Sequence, residues 1–246
     1  MRDKFSMLAE TLKEACGNGP VYYLPNPGNY GDAMIRYATL KFFHDIKLNV
    51  RELTTSKKDW LLPILTGGTV IYGGGGGWSS LWTHSERYVT RMKRRFRVIV
   101  LPSTFERSYA LGDTIVFCRD LYESQQNMPH AMFCHDMAMY LEKDLLPAGG
   151  RGIGYYFRTD KESANRFEIP AGNTDISIAG NHLTDVRWLF ETINSVSVVH
   201  TDRLHVSIAA GLLGKEVHLY AGSYFKNRAV YLSSMKNCFD NIAFHE

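Results

Sequence analysis

The chain has 246 residues, 45% of them apolar and 22% charged, the balance of a soluble globular protein large enough to bury its own core without disulfide help. Its formal net charge of +3 is too mild to require a nucleic-acid partner and suits an anionic substrate. Four scattered cysteines, Cys16, Cys118, Cys134 and Cys238, lack ligand spacing and argue against a zinc site or a disulfide framework.

The N-terminal segment MRDKFSMLAETLKEACGNG alternates charged and apolar residues at helical spacing and lacks the apolar stretch of a signal peptide. The first β-rich run is Val21–Leu24, closed by the turn-forming Pro25-Asn26-Pro27-Gly28-Asn29-Tyr30-Gly31-Asp32; a helical pattern follows from Ala33 to about Phe43. Thr69–Tyr72 reads as a buried strand running into five glycines, Gly73–Gly77, and Trp78. The basic run Arg91–Arg97 reads as a solvated helix face, with contact to an anionic headgroup or polymer as the alternative. It lacks the interleaved aromatics of a nucleic-acid platform. Further strands are expected at Arg97–Leu101, Thr114–Cys118 and Ala131–Cys134, each ending in a polar cluster.

The cluster Leu145-Leu146-Pro147-Ala148-Gly149-Gly150 marks a boundary or hinge. A second α/β set begins with Gly152–Phe157 and passes through the apolar run Asp175–Ile178. It continues with the helix Asp185–Ile193, the strand Ser197–His200, the helix Leu204–Leu213, the strand Glu216–Tyr220 and a helix from about Asn227 to Met235. No window approaches the roughly 18 apolar residues of a membrane span. The alternation predicts an α/β fold of two Rossmann-like domains facing a cleft, with ligands beyond the carboxyl ends of parallel strands.

The strongest chemical cluster is Thr201-Asp202-Arg203-Leu204-His205, a strand running straight into a helix. Arg203 and His205 fall in the first helical turn, where free N–H groups and the dipole favour an anion. Arginine offers a fork for carboxylate or phosphate, and histidine can move a proton near neutral pH. The plainer reading makes Thr201 or Asp202 a helix cap and leaves Arg203 and His205 as packing contacts. Asp32 carries the same ambiguity, since aspartate is a common cap and glycine a common turn residue. The glycine run is neither a dinucleotide fingerprint nor a phosphate loop ending in Lys-Ser/Thr; close chain packing or close ligand approach would each justify its entropic cost. Arg119 and Arg158 each follow a strand, and together would suit a doubly anionic small molecule; otherwise they pair at the surface with Asp120 and Asp160.

Taken in order, NYGDAMI (Asn29–Ile35), YGGGGGW (Tyr72–Trp78), LPST (Leu101–Thr104), FCRD (Phe117–Asp120), FRTDKE (Phe157–Glu162) and TDRLHVSIAAGLLGKEVHLY (Thr201–Tyr220) resemble the polysaccharide pyruvyltransferase family. The resemblance implies a GT-B-like fold, here an acceptor-side domain over residues 1–147 and a donor-side domain over 148–246. It implies phosphoenolpyruvate as donor co-substrate, no cofactor and no metal. It makes His205 the favoured acid/base, with Asp32 as its catalytic partner, and Arg203 and Leu204 donor contacts. Arg158, Arg119, Asn29, Gly75, Gly76 and Ser103 complete the expected substrate-binding set. The product would be a cyclic pyruvate ketal on a polysaccharide precursor, with a lipid-linked oligosaccharide the expected acceptor. The expected location is cytoplasmic, with room for peripheral contact at the inner membrane face. Two alternatives stand beside it: a glycosyltransferase using a nucleotide sugar, and a non-catalytic sugar-binding protein on the same architecture.

Overall fold

The computed structural model describes residues 2–143, 146–147, 149–164 and 168–246; Leu145 and Ala148 of the expected hinge lie outside the described residues. The chain divides into two compact units, one formed by Met1–Asn26 and Ala38–Tyr140, the other by Pro27–Tyr37 and Leu141–Glu246. The second unit therefore takes in the turn after the first strand, a segment distant from it in sequence.

The first unit opens with α1 (Arg2–Cys16), whose Leu8 and Leu12 lie fully buried one helical turn apart. Next come β1 (Val21–Leu24) and α2 (Tyr30–Asp45), whose first half, to Tyr37, belongs to the second unit, then β2 (Arg51–Glu52), α3 (Leu61–Thr66), β3 (Thr69–Tyr72) and β4 (Gly75–Trp78). The unit ends with α4 (His84–Met92), β5 (Arg97–Phe105), β6 (Ile115–Cys118), α5 (Glu123–Asn127) and β7 (Met132–Phe133). All pairings are parallel, in the order β2-β1-β3-β5-β6-β7, with β4 joining β5. Apart from Arg97 at the start of β5, the central strands are buried along their length, as continuous apolar runs in a parallel sheet should be. One core cluster gathers Tyr22, Val70, Tyr72, Trp78, Val98, Val100, Phe105 and Phe133.

Two local expectations change here. The glycine run is partly a strand, because β5 continues through Pro102 to Phe105 and offers β4 a partner. Proline cannot donate to the ladder, and the β5–β6 register shifts between Val100 and Ser103, around Pro102. A side chain at Gly74 would meet the Pro102 carbonyl at 2.3 Å, and one at Gly73 the Asn26 nitrogen at 2.6 Å. Close chain packing thus accounts for these two glycines. The basic run is likewise no helix face: α4 ends at Met92, and hydrogen bonds from the amides of Arg95 and Phe96 to the Met92 carbonyl close a turn before β5.

The second unit holds β8 (Ile153–Tyr155), α6 (Arg187–Asn194), β9 (Val198–Thr201), α7 (Leu204–Leu212), β10 (Glu216–Tyr220), α8 (Lys226–Ser233) and β11 (Ile242–His245). Its four strands are parallel in the order β11-β10-β9-β8. The apolar run near Asp175 forms a short 3-10 turn, Ile176–Ala179, and not a strand. Helix α7 is buried at every position but His205, which explains its apolar composition on all sides. No helix among the described residues is long and apolar enough to cross a membrane, and all four cysteines are free.

Candidate functional site

Three segments meet in the second unit. The first is the passage from β9 into α7. The Thr201 hydroxyl donates to the Tyr156 carbonyl at 2.7 Å and accepts from the Arg203 amide at 3.0 Å, fixing the turn between strand and helix. Arg203 occupies the cap position of α7 in extended conformation and makes no side-chain cap. The helix therefore begins with its first amides uncapped by its own N-cap side chain, the arrangement that favours an anion. Leu204 is buried, while His205 is half-buried.

The second segment is the turn before α2. The Asn29 side chain accepts from the Gly31 amide at 2.8 Å, and the Asp32 carboxylate accepts from the Asn29 amide at 3.1 Å. This reciprocal pair is a capping box, so Asp32 shapes the helix start. The same turn lies against His205: a Cβ on Gly31 would come within 2.4 Å of His205 Nδ1. Residues 180–188 hold the turn from its other side. Asn29 bridges Asn181, the His182 amide donates to the Gly28 carbonyl at 3.0 Å, and Tyr30 stacks on Trp188 with ring centroids 5.5 Å apart.

The third segment follows β8. Arg158 pairs with Glu162, and its Nε stands 3.0 Å from Asp160. Lys226 reaches the same Glu162 at 2.6 Å. Arg203 pairs with Asp175 through two nitrogens and with Asp160 at 2.9 Å. The charges thus alternate as Lys226–Glu162–Arg158–Asp160–Arg203–Asp175, with Asp160 bridging the two guanidiniums. Burial opposes the charge on Arg158, but Glu162 and Asp160 outweigh it and raise its pKa. Burial also opposes ionisation of Asp160, yet Arg158 and Arg203 prevail and hold it below the usual range. Asp202 differs: burial raises its pKa, although its carboxylate accepts from the Arg158 amide at 2.8 Å. Asn227 ties the ends of two strands, donating to the carbonyls of Asp202 and Tyr220 at 2.7 and 2.9 Å.

Of the residues singled out from the sequence, His205, Arg203, Leu204, Arg158, Asp32 and Asn29 all fall in this unit. Arg119, Gly75, Gly76 and Ser103 fall in the first. Arg119 is fully buried, paired with Asp136 at 2.5 Å and donating to Thr104 at 2.8 Å. Ser103 is also buried, and its hydroxyl donates to the Leu101 carbonyl at 2.8 Å. Both have internal partners, so neither enters the proposal below. Gly75 adopts φ of 125°, which a side chain would resist. Sequence reasoning missed Asp175, Lys226 and Asn227. They are isolated polar residues in unremarkable contexts, joined to the site only by folding. Gly31 carried a signal, a glycine inside a helix start, that points to a close approach. No group of three or more His, Cys, Asp or Glu side chains among the described residues is placed to hold a metal ion.

Parallel sheets with polar residues gathered where the strands end define a Rossmann-like α/β protein. The chain belongs to the polysaccharide pyruvyl transferase family, which matches residues 29–224, and this makes it a member of a transferase family. Among solved structures it is similar to that of a functionally uncharacterised protein from Klebsiella pneumoniae subsp. pneumoniae NTUH-K2044, with 28% identity, a TM-score of 0.83 and complete coverage of both chains. No protein of curated function matches it at a significant level.

Proposed function

We propose that the protein transfers a pyruvyl group from phosphoenolpyruvate to a sugar of a polysaccharide precursor, closing a cyclic ketal and releasing phosphate. The observation that carries this reading is the seating of His205, in the first turn of α7, directly against the Asn29–Asp32 turn. That arrangement sets His205 beside the turn that bears Asp32, and the chain belongs to a family of pyruvyl transferases; both support the reading. The second unit, which holds His205, Arg203, Arg158 and Asp32, would take the donor. No cofactor or metal is invoked.

In the proposed mechanism the amides opening α7 receive the donor's phosphate or carboxylate. Arg203 and Arg158 would supply positive charge behind them once Asp160 gives way. Asp160 occupies the place between the two guanidiniums that a donor carboxylate would take, and it retains 25% of its side-chain exposure. His205 protonates the methylene carbon of the enol, leaving an electron-poor carbon stabilised by its attached oxygen. A sugar hydroxyl adds there as Asp32 accepts its proton. The second hydroxyl then displaces phosphate and loses its own proton, leaving a methyl group, a carboxylate and two sugar oxygens on one carbon. Fixed placement and charge stabilisation supply most of the acceleration.

The test is incubation with phosphoenolpyruvate and a lipid-linked or synthetic glycoside, measuring phosphate release and product mass. A mass gain of one pyruvyl ketal is expected. Binding of a nucleotide sugar without any such gain would overturn the assignment. His205→Gln should lower turnover about 10²–10⁴-fold, the usual worth of a general acid, with donor binding largely kept.

A further inference from the structure

The first unit carries an apolar surface unrelated to the strand-end chemistry. Helix α3 has the sequence LLPILT, and only Pro63 of it is buried. Leu61, Leu62, Ile64 and Leu65 are exposed, to 64%, 39%, 50% and 83%. Four large aliphatic side chains in five positions are an uncommon thing to leave in water; such patches mark interaction sites. The base of the helix is firmly anchored. Trp60 packs on the core and donates to the Thr54 carbonyl at 3.0 Å, and the Tyr22 and Thr66 hydroxyls meet at 2.6 Å.

The surroundings identify the partner. Lys57 and Lys58 precede α3 and are exposed. Trp60 also touches Phe96, with ring centroids 6.1 Å apart, which brings the basic turn after α4 alongside. Arg91 in the last turn of α4 and Arg94 and Arg95 of the turn after it are exposed, and no ion pair among the described residues involves them or the two lysines. Asp59, between the lysines and α3, accepts from the amide and hydroxyl of Thr54. Protruding aliphatics beside unneutralised cations match a bilayer interface, where apolar groups enter the acyl boundary and cations meet anionic headgroups.

We propose that α3 and the Arg91–Arg95 segment form a docking surface for an anionic phospholipid membrane, with Leu61, Ile64 and Leu65 inserting and Lys57, Lys58, Arg94 and Arg95 meeting headgroups. The surface lies wholly within the first unit and does not depend on the reaction assigned above.

The experiment is co-sedimentation of the full chain, without donor or acceptor, on vesicles of phosphatidylcholine alone and on an equal mixture with phosphatidylglycerol. Binding is expected to the mixture only and should weaken as salt rises. Leu61→Ser/Leu65→Ser should weaken it at least about tenfold. Arg94→Gln/Arg95→Gln should weaken it about 25-fold, at about fivefold per cation. All four side chains are exposed, and circular dichroism checks that the variants fold. Phosphate release on a water-soluble glycoside should be unchanged in both. Failure to bind mixed vesicles, binding indifferent to both pairs of substitutions, or a leucine-dependent dimer in place of vesicle binding would each overturn the proposal.

Discussion

Gly31→Ala is the sharpest probe of how the site is built, because two opposing effects give it a diagnostic sign. Gly31 lies in the first turn of α2 with no positive φ. On backbone grounds alone, alanine there should stabilise the helix by about 0.5–1 kcal/mol. The added Cβ, however, would stand 2.4 Å from His205 Nδ1, 3.0 Å from its Cγ and 3.1 Å from Asn29 Oδ1. Restoring ordinary contact requires a movement of roughly 1 Å, and overpacking of that kind costs about 1–3 kcal/mol. A net loss of stability is therefore expected, and if the ring is what yields, turnover should fall about 10²-fold for a displacement of that size. The decisive measurement is a double-mutant cycle with His205→Ala, read by urea unfolding together with hydrogen exchange of the second unit's amides. Removing the ring should turn Gly31→Ala from destabilising to neutral or better, with a coupling of about 1–3 kcal/mol. Additive effects within about 0.5 kcal/mol would show that the turn and His205 are not in contact.

Asp160→Asn should tighten phosphoenolpyruvate binding about tenfold, or ~1.4 kcal/mol, if the aspartate competes for the two guanidiniums; calorimetry showing weaker binding would make Asp160 an orienting partner instead. Asp136→Asn should destabilise the first unit by about 3–5 kcal/mol by leaving Arg119 as an uncompensated buried charge, while donor binding to the second unit is unchanged. Stability should also fall on acidification. His135 is pushed down to about 4, chiefly by burial, and burial with neighbouring histidines lowers His200 and His245. These groups bind protons more readily unfolded than folded. Their contribution is complete above the unfolded histidine value of about 6.5 and is lost as pH falls from there through the folded values. Thermal melts should thus decline from near neutral toward pH 4; melting temperatures flat over that range would refute the assignment.

Val21–Leu24 and Thr69–Tyr72 were readable because burial on two faces gives continuous apolar runs, whereas Glu216–Tyr220 buries only alternate positions. Val21–Leu24, Thr69–Tyr72 and Glu216–Tyr220 match the observed strands residue for residue. Elements held by context were not readable. β4 is three glycines and Trp78, and it pairs where β5 runs on past Pro102. β2 has two residues, and β11 is a strand of four that pairs with β10 at the end of its sheet. The site divides the same way. Arg203 and His205 stood out because strand, polar turn and helix follow each other in sequence. Asp175, which holds Arg203, lies in a stretch whose apolar content suggested a strand.

The positions of Asp160 and Asp175 change what the arginines are for. An arginine at a helix start reads, from sequence, as a hand extended to an anion. In the fold Arg203 is 5% exposed and already held by two carboxylates, and Arg158 by two more contacts of the same kind. Buried charges are tolerated only when paired, so the two buried guanidiniums cannot stand bare. The alternating chain from Lys226 to Asp175 answers that constraint. Its central member, Asp160, keeps the most solvent contact and touches both guanidiniums, so displacing it is the smallest rearrangement that frees positive charge. Binding would then exchange one carboxylate for another at nearly constant burial. This accounts for two arginines and an intervening acid occurring together where a simple anion hole would need the arginines alone.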